Sequence, residues 1–131
     1  MSKEFKYVTK IYYEDTDAGG VVYYANYLKF LERARSEAIY SLGLSNKEIL
    51  EKEGVIIIVK TCNIEYKKPA KFEDEIEIIS NITEVKNSSF KMHQVIKRKS
   101  DIISEAEVVL VTINAKGKPV RIPMLLKKLI D

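Results

Sequence analysis

NYLKFLERARSEAIYSLG, Asn26 to Gly43, is the stretch that decides the fold. Tyr27, Leu31, Ala34, Ala38 and Leu42 recur at spacings of three and four, which marks one face of a helix turned towards a core. Leu28 and Phe30 widen that face, while Lys29, Glu32, Arg33, Ser36 and Glu37 take the other side. Arg33 and Glu37 stand four residues apart, a pairing worth a few tenths of a kcal/mol (roughly 0.2–0.5) when it forms. Gly43 supplies the stop. Two alanines in the middle of the apolar stripe let another element approach closely, as a sheet curled around the helix would.

Downstream, Ser45 followed by Glu48 reads as a capping box that opens a short helix, NKEILEKE, ending at Gly54. The remainder reads as strands. Val55 to Tyr66 begins as a continuous apolar run, and Pro69 breaks it. Glu73 to Val85 alternates, with Ile76, Ile78 and Ile82 on or near one face. Asn87-Ser88-Ser89 is a turn. Phe90 to Lys99 and Ile102 to Asn114 are two further strands, and Ile122 to Ile130 a short terminal helix. Upstream, Phe5 to Tyr13 is β-branched and aromatic, a first strand. Short connections make the last four strands antiparallel. One long helix is too few for a doubly wound parallel sheet. The expected class is α+β: an antiparallel five-stranded sheet around one long central helix, with residues 1–131 as a single domain. Such a sheet leaves an edge or a face for a second copy, so a dimer at least is expected.

The totals exclude several function classes. With 46% hydrophobic and 31% charged residues the chain is an ordinary globular protein. A net charge of +3, from 22 Lys and Arg against 19 Asp and Glu, is too mild to argue for nucleic acid. One cysteine, Cys62, permits no internal disulfide and fits a reducing compartment, and it reads as a small buried residue of its strand. The opening MSKEFKYVTK has no apolar segment of the signal-peptide kind, and no apolar run approaches the roughly 20 residues of a membrane helix. A cytoplasmic protein without a membrane span is expected. One His and one Cys are poor material for zinc. The only histidine, His93, sits on an alternating strand, so hydrolytic chemistry here would run on a carboxylate.

The carboxylates worth asking about lie just before the helix, in EDTDAGGVVYYAN, Glu14 to Asn26. Three acidic groups run into Gly19-Gly20 and then into an apolar, aromatic helix start at about Asn26. On spacing alone, acidic residues in a turn before a helix, Glu14, Asp15 and Asp17 alike, are more often solvated or capping residues than functional ones. The chemical alternative is that the turn holds a carboxylate beside the free N–H groups and positive end of a helix, an arrangement suited to a developing oxyanion.

The segment YYEDTDAGGVVYYANYLKFLERAR resembles the hot-dog-fold acyl-CoA thioesterases of the 4-hydroxybenzoyl-CoA thioesterase and YbgC type. The matching parts are Asp15-Thr16-Asp17, Ala18-Gly19-Gly20, Val21-Val22-Tyr23, Asn26-Tyr27 and Glu32-Arg33-Ala34-Arg35. The resemblance implies a hot-dog fold and hydrolysis of an acyl thioester to acid and CoA without a metal or redox cofactor. It implies that Asp17 is the catalytic carboxylate, as nucleophile or general base, and that the backbone N–H near Tyr24 serves the thioester carbonyl, with Asp15 left to organise the turn. Many YbgC-type members carry His where this chain has Tyr24, and the hydroxybenzoyl branch carries Tyr. Hot-dog dehydratases use a catalytic His, and none lies near this helix. The resemblance also implies a nucleotide contact at Lys86-Asn87-Ser88-Ser89, through Lys86 and Ser89, although the same residues serve as a plain polar turn. Lys60, Lys67, Lys68 and Lys71 are alternative phosphate partners. Sites lie between subunits in such proteins, so Val59, Lys60 and Thr61 are expected to face the partner's Asp17 in a homodimer or homotetramer. Two rival readings stay open: a thioesterase acting on acyl carrier protein, and a non-catalytic acyl-CoA sensor. The acyl group itself is not legible.

Overall fold

The computed structural model describes residues 3–130, apart from the side chain of Lys128. The order is β1 (Glu4–Lys10), α1 (Tyr24–Tyr40), α2 (Asn46–Glu53), β2 (Ile56–Tyr66), β3 (Glu75–Val85), β4 (Ser89–Arg98), β5 (Asp101–Ile113) and a terminal α3 (Lys127–Ile130). Single 3-10 turns at Tyr13–Asp15 and Met124–Leu126 precede α1 and α3. The five strands form one antiparallel sheet in the order β1-β3-β4-β5-β2.

The α1 stripe packs into the concave face of this sheet. Tyr27, Phe30, Leu31, Ala34 and Ala38 are buried against Ile76, Ile78 and Ile82 of β3, Phe90, Met92 and Ile96 of β4, and Ala106, Val108 and Leu110 of β5. Ala34 and Ala38, each 3% exposed, let the sheet come up to the helix backbone. Leu28 does not join the stripe, because it lies on the flank that the sheet leaves open and is 47% exposed. Arg33 and Glu37 are both exposed and do not pair. Past the end of α1, the Gly43 N–H donates to Tyr40 O and the Leu44 N–H to Ile39 O, with Gly43 at φ +79°, a glycine-terminated Schellman stop. Ser45 caps α2, its Oγ accepting the Glu48 N–H at 3.0 Å, but the expected capping box is only half formed, because the Glu48 carboxylate accepts from Lys52 Nζ at 2.9 Å instead.

Two features of the sheet position the site. First, β2 and β3 follow each other in the chain but are not neighbours; the link between them crosses one end of the sheet beneath the start of α1. Its backbone is tied at each step: Lys67 and Lys68 N–H to Ile103 O, Ala70 N–H to the Tyr27 hydroxyl, and Glu73 N–H to Ile11 O. Second, β2 is an edge strand and most of it is exposed. Cys62, expected to be buried, is therefore exposed, because no second layer covers that edge in one chain.

Candidate active site

Helix α1 begins two residues before Asn26, at Tyr24, with Tyr23 in extended backbone as its N-cap. Asn is a favoured residue at helix starts, but Asn26 lies inside the first turn. Its side-chain amide points back and donates to Asp15 O at 2.8 Å. Asp15 is buried, and its carboxylate accepts the Tyr12 N–H at 2.9 Å, so it organises the turn. Between these anchors the chain doubles back. Asp17 N–H donates to Val21 O, Gly20 N–H donates to Asp17 O, and Thr16 bridges to Val22. Gly20 is at φ +80°, a conformation that favours glycine. The reversal is laid along the crossing segment, with Val22 N–H to Ala70 O and Phe72 N–H to Gly20 O.

The result holds one carboxylate at an open position. Asp17 is exposed, and its Oδ1 accepts the Gly19 N–H at 2.8 Å, which fixes the side chain while leaving the carboxylate accessible. The amide of Tyr24 is the first of α1 and has no acceptor within the helix. No acidic residue occupies that first turn and no side chain caps it. Asp17 and Tyr24 line the same cleft, of about 360 Å³, together with Tyr27, Tyr66, Lys67 and Pro69. Its aromatic wall is connected: the Tyr24 and Tyr66 rings lie 5.1 Å apart, and those of Tyr27 and Tyr66 5.3 Å apart. Burial pushes the phenols of Tyr27 and Tyr66 above their ordinary range, so both remain neutral hydroxyls at physiological pH. A carboxylate, a free helix-terminal N–H and an aromatic wall can activate a nucleophile and stabilise an oxyanion at an acyl carbon.

The remaining expected residues lie elsewhere in the same chain. Lys60 is the extra residue of a bulge in β2, between Val59 opposite Leu110 and Thr61 opposite Val109, and all three are exposed on the sheet edge. Lys86 and Ser89 close the β3–β4 hairpin, with the Lys86 N–H donating to Ser89 O at 2.8 Å and the Lys86 ammonium 3.6 Å from Glu84. That hairpin is at the Ile56–Ile113 end of the sheet, whereas the Asp17 cleft is at the Tyr66–Ser104 end. Lys67 and Lys68 do line the cleft, each ion-paired at 3.0 Å, to Glu105 and Asp101 respectively. Among the described residues no cluster of three or more His, Cys, Asp or Glu could hold a metal ion, and no helix is long and apolar enough to cross a membrane.

One polar arrangement escaped the sequence reading. Gln94 is fully buried beneath α1, donating to Leu31 O at 3.1 Å and Ser80 Oγ at 3.0 Å and accepting from Arg35 Nη1 at 3.0 Å. The available signal was a glutamine at the inward parity of a strand whose other inward residues are Phe90, Met92 and Ile96.

Residues 12–129 match the model of a family described as the thioesterase-like superfamily. The chain belongs to that superfamily. Among its relatives, the acyl-CoA thioesterase YbgC of Haemophilus influenzae is 38% identical over 128 residues, which cover 97% of this chain and 94% of that protein. A probable thioesterase from Bartonella henselae superposes with a TM-score of 0.88 at 32% identity, over 92% of this chain and all (100%) of that one. The 4-hydroxybenzoyl-CoA thioesterase of Pseudomonas sp. strain CBS-3 superposes with a TM-score of 0.89, over 97% and 99% of the two chains; at 20% identity that likeness speaks for the fold alone. The sheet curled around α1 is thus the hot-dog arrangement of thioesterase-like proteins.

Proposed function

We propose that this chain, as one hot-dog unit, hydrolyses acyl-CoA thioesters to free acid and CoA. Asp17 is the nucleophile or the general base, and the Tyr24 N–H is the donor to the thioester oxygen. The observation that carries the reading is the shared cleft of Asp17 and the first, unpartnered amide of α1. As general base, Asp17 takes a proton from water while the water oxygen bonds to the acyl carbon. The C–S bond then breaks, and CoA leaves as its thiol after taking up a proton. As nucleophile, an Asp17 oxygen bonds to the acyl carbon, the C–S bond breaks and CoA leaves as a thiolate that takes up a proton from solvent; water then opens the mixed anhydride, releasing the free acid and restoring the Asp17 carboxylate. The name acyl-CoA thioesterase carried by the Haemophilus relative, at 38% identity over nearly the whole chain, supports the substrate class.

The same reading takes the protein as a homodimer, or a pair of dimers, joined along β2. That strand presents an unpaired ladder edge with Ile56, Ile58 and Val59 exposed. Pairing with its own copy about a two-fold axis is antiparallel. The Tyr66 end of one strand then lies beside the Ile56 end of the other, which carries the Lys86–Ser89 hairpin of one subunit towards the partner's Asp17. Val59, Lys60 and Thr61 fall near the middle of the junction. Lys86 and Ser89 would serve the nucleotide phosphates of CoA. A cytoplasmic location belongs to the same reading, on the argument from the single thiol of Cys62.

The test is release of free thiol from a panel of acyl-CoA and acyl-carrier-protein thioesters. CoA thioesters are expected to turn over with kcat/KM of about 10⁴ M⁻¹s⁻¹ or more for the best acyl group. A preference for the carrier protein would move the substrate assignment. Tight binding of acyl-CoA with no hydrolysis of any member would favour the sensor reading.

A further inference from the structure

Two cavities open at the two ends of β2. One is the Asp17 cleft, walled by Tyr66 at the C-terminal end of the strand. The other, of about 510 Å³, lies between α1, α2 and the sheet, and is walled at the N-terminal end by Ile56, Ile57 and Val59. The nearest walls of the two cavities on β2, Val59 and Tyr66, are seven residues apart, roughly 23 Å at about 3.3 Å per residue, so within one chain each cavity opens at its own end of the strand. Antiparallel pairing of β2 with its copy changes this: Tyr66 of one subunit comes beside Ile56 of the other, and the Asp17 cleft adjoins the partner's larger cavity.

The larger cavity is apolar over most of its wall, with Ile49, Leu50, Phe90, Met92 and Leu110 among its lining, and within it sits Arg35. A guanidinium carries five N–H donors. In Arg35 one bond, from Nη1, goes to Gln94 at 3.0 Å; Glu32 on the same cavity wall favours its charge from a distance, and no ion pair to a carboxylate forms among the described residues. Gln94 is itself held by Ser80 and Leu31, so the guanidinium is fixed in the wall with donors to spare. Burial already works against its charge, lowering its pKa from the ordinary value.

We propose that the larger cavity receives the acyl group of a thioester bound at the partner subunit's Asp17, and that Arg35 selects acyl groups bearing an oxygen acceptor towards their far end. The proposal rests on the acyl-CoA hydrolase reading and on β2 pairing with its copy. A plain alkyl tail matches the apolar lining but strips water from the spare guanidinium donors and returns nothing, which is costly. A hydroxyl or carboxylate at the tail replaces that water with a charge-assisted hydrogen bond. Arg35 is thus a specificity-determining residue at a distance from the reacting bond.

The experiment compares matched CoA thioesters on the wild-type protein: hexanoyl, 6-hydroxyhexanoyl and adipoyl, and the corresponding eight- and ten-carbon sets. The hydroxyl and carboxylate arms separate a neutral acceptor from an anion. The expected result, at one length or more, is a kcat/KM advantage of about tenfold for an oxygen-bearing tail, in line with a hydrogen bond to a charged group. Arg35→Met should bring that ratio close to one, and Arg35→Lys should restore part of it. Leu50→Trp, which fills the cavity from α2, should shorten the longest chain accepted. If Arg35→Met does not fold, the wild-type ratio and the Leu50→Trp chain-length shift decide. A wild type that hydrolyses the thioesters without preference, or a preference that survives Arg35→Met, overturns this inference alone. A wild type that hydrolyses none of them overturns the reading beneath it.

Discussion

The side-chain amide of Asn26 donates to the backbone carbonyl of Asp15 at 2.8 Å, bolting the first turn of α1 to the loop that carries Asp17. The bond is buried and spans 11 residues of chain. Its role is to keep the carboxylate and the free helix-terminal N–H in one frame. Asn26→Ala should therefore cost about 1–2 kcal/mol of stability, the range for a lost buried hydrogen bond. It should also lower kcat more than it raises KM, because the loop would move relative to the helix. Urea unfolding and steady-state kinetics check both, and an unchanged stability and turnover would show that the bond is dispensable.

The two glycines after Asp17 should behave differently. Gly20 is at φ +80° with open space around it, so Gly20→Ala should cost about 1–2 kcal/mol in backbone strain. A Cβ on Gly19 would stand 3.3 Å from Asp17 Oδ1 and press on the carboxylate itself. Gly19→Ala should thus reduce turnover with little change in melting temperature, and Gly20→Ala should do more to melting than to chemistry. Equal effects of both on turnover would mean that Asp17 is not the sensitive group.

Much of this was legible in the chain. The α1 stripe, its two alanines, the Gly43 stop and the alternation of β3 each follow from local periodicity, and the Asp15–Asn26 wording pointed to the cleft that Asp17 and Tyr24 share. What was not legible depends on contacts far apart in sequence. Helix α1 starts at Tyr24 because Asn26 is drawn back to Asp15. Strand β3 leaves β2 because the link is captured by Tyr27 and Ile11. Cys62 is exposed because its strand is an edge, which periodicity cannot reveal. Arg35 meets Gln94 from 59 residues away. Val59, Lys60, Thr61, Lys86 and Ser89 do not meet Asp17 within one chain, so a single sequence could place them only through a partner.

Tyr27 accepts the Ala70 N–H at 3.0 Å and so holds the floor of the cleft. Tyr27→Phe keeps the ring and leaves that buried N–H without an acceptor, at a cost of about 1–3 kcal/mol. Amide exchange at Ala70 should accelerate markedly in the variant. Protection equal to wild type would show that another acceptor takes over.

Asp74 gives the crossing segment a pH dependence. Its carboxylate accepts from Arg98 Nη1 at 2.7 Å and from the Lys71 N–H at 2.8 Å. Burial works to raise its pKa, but these two donors and the charge of Arg98 outweigh it and hold the carboxyl below its ordinary value. A depressed folded-state pKa means stability that is present above the unfolded value of about 3.9 and lost as pH falls through the folded one. Asp74→Asn should therefore be destabilised by about 1–2 kcal/mol at pH 7. The gap from wild type should close below about pH 4. A gap constant from neutral pH to acid would remove Asp74 from the account.

The most direct measurement is thiol release from acyl-CoA by Asp17→Asn, on protein shown to be folded and in the wild-type oligomeric state. The substitution keeps the size of the side chain and an oxygen that can accept the Gly19 N–H, and it removes the charge that a nucleophile or base requires. The account predicts that kcat falls by about 100- to 10,000-fold, the usual cost of losing a positioned acid–base group, with acyl-CoA still bound. Hydrolysis within a few-fold of wild type would contradict it and send the search for the catalytic group elsewhere in the molecule.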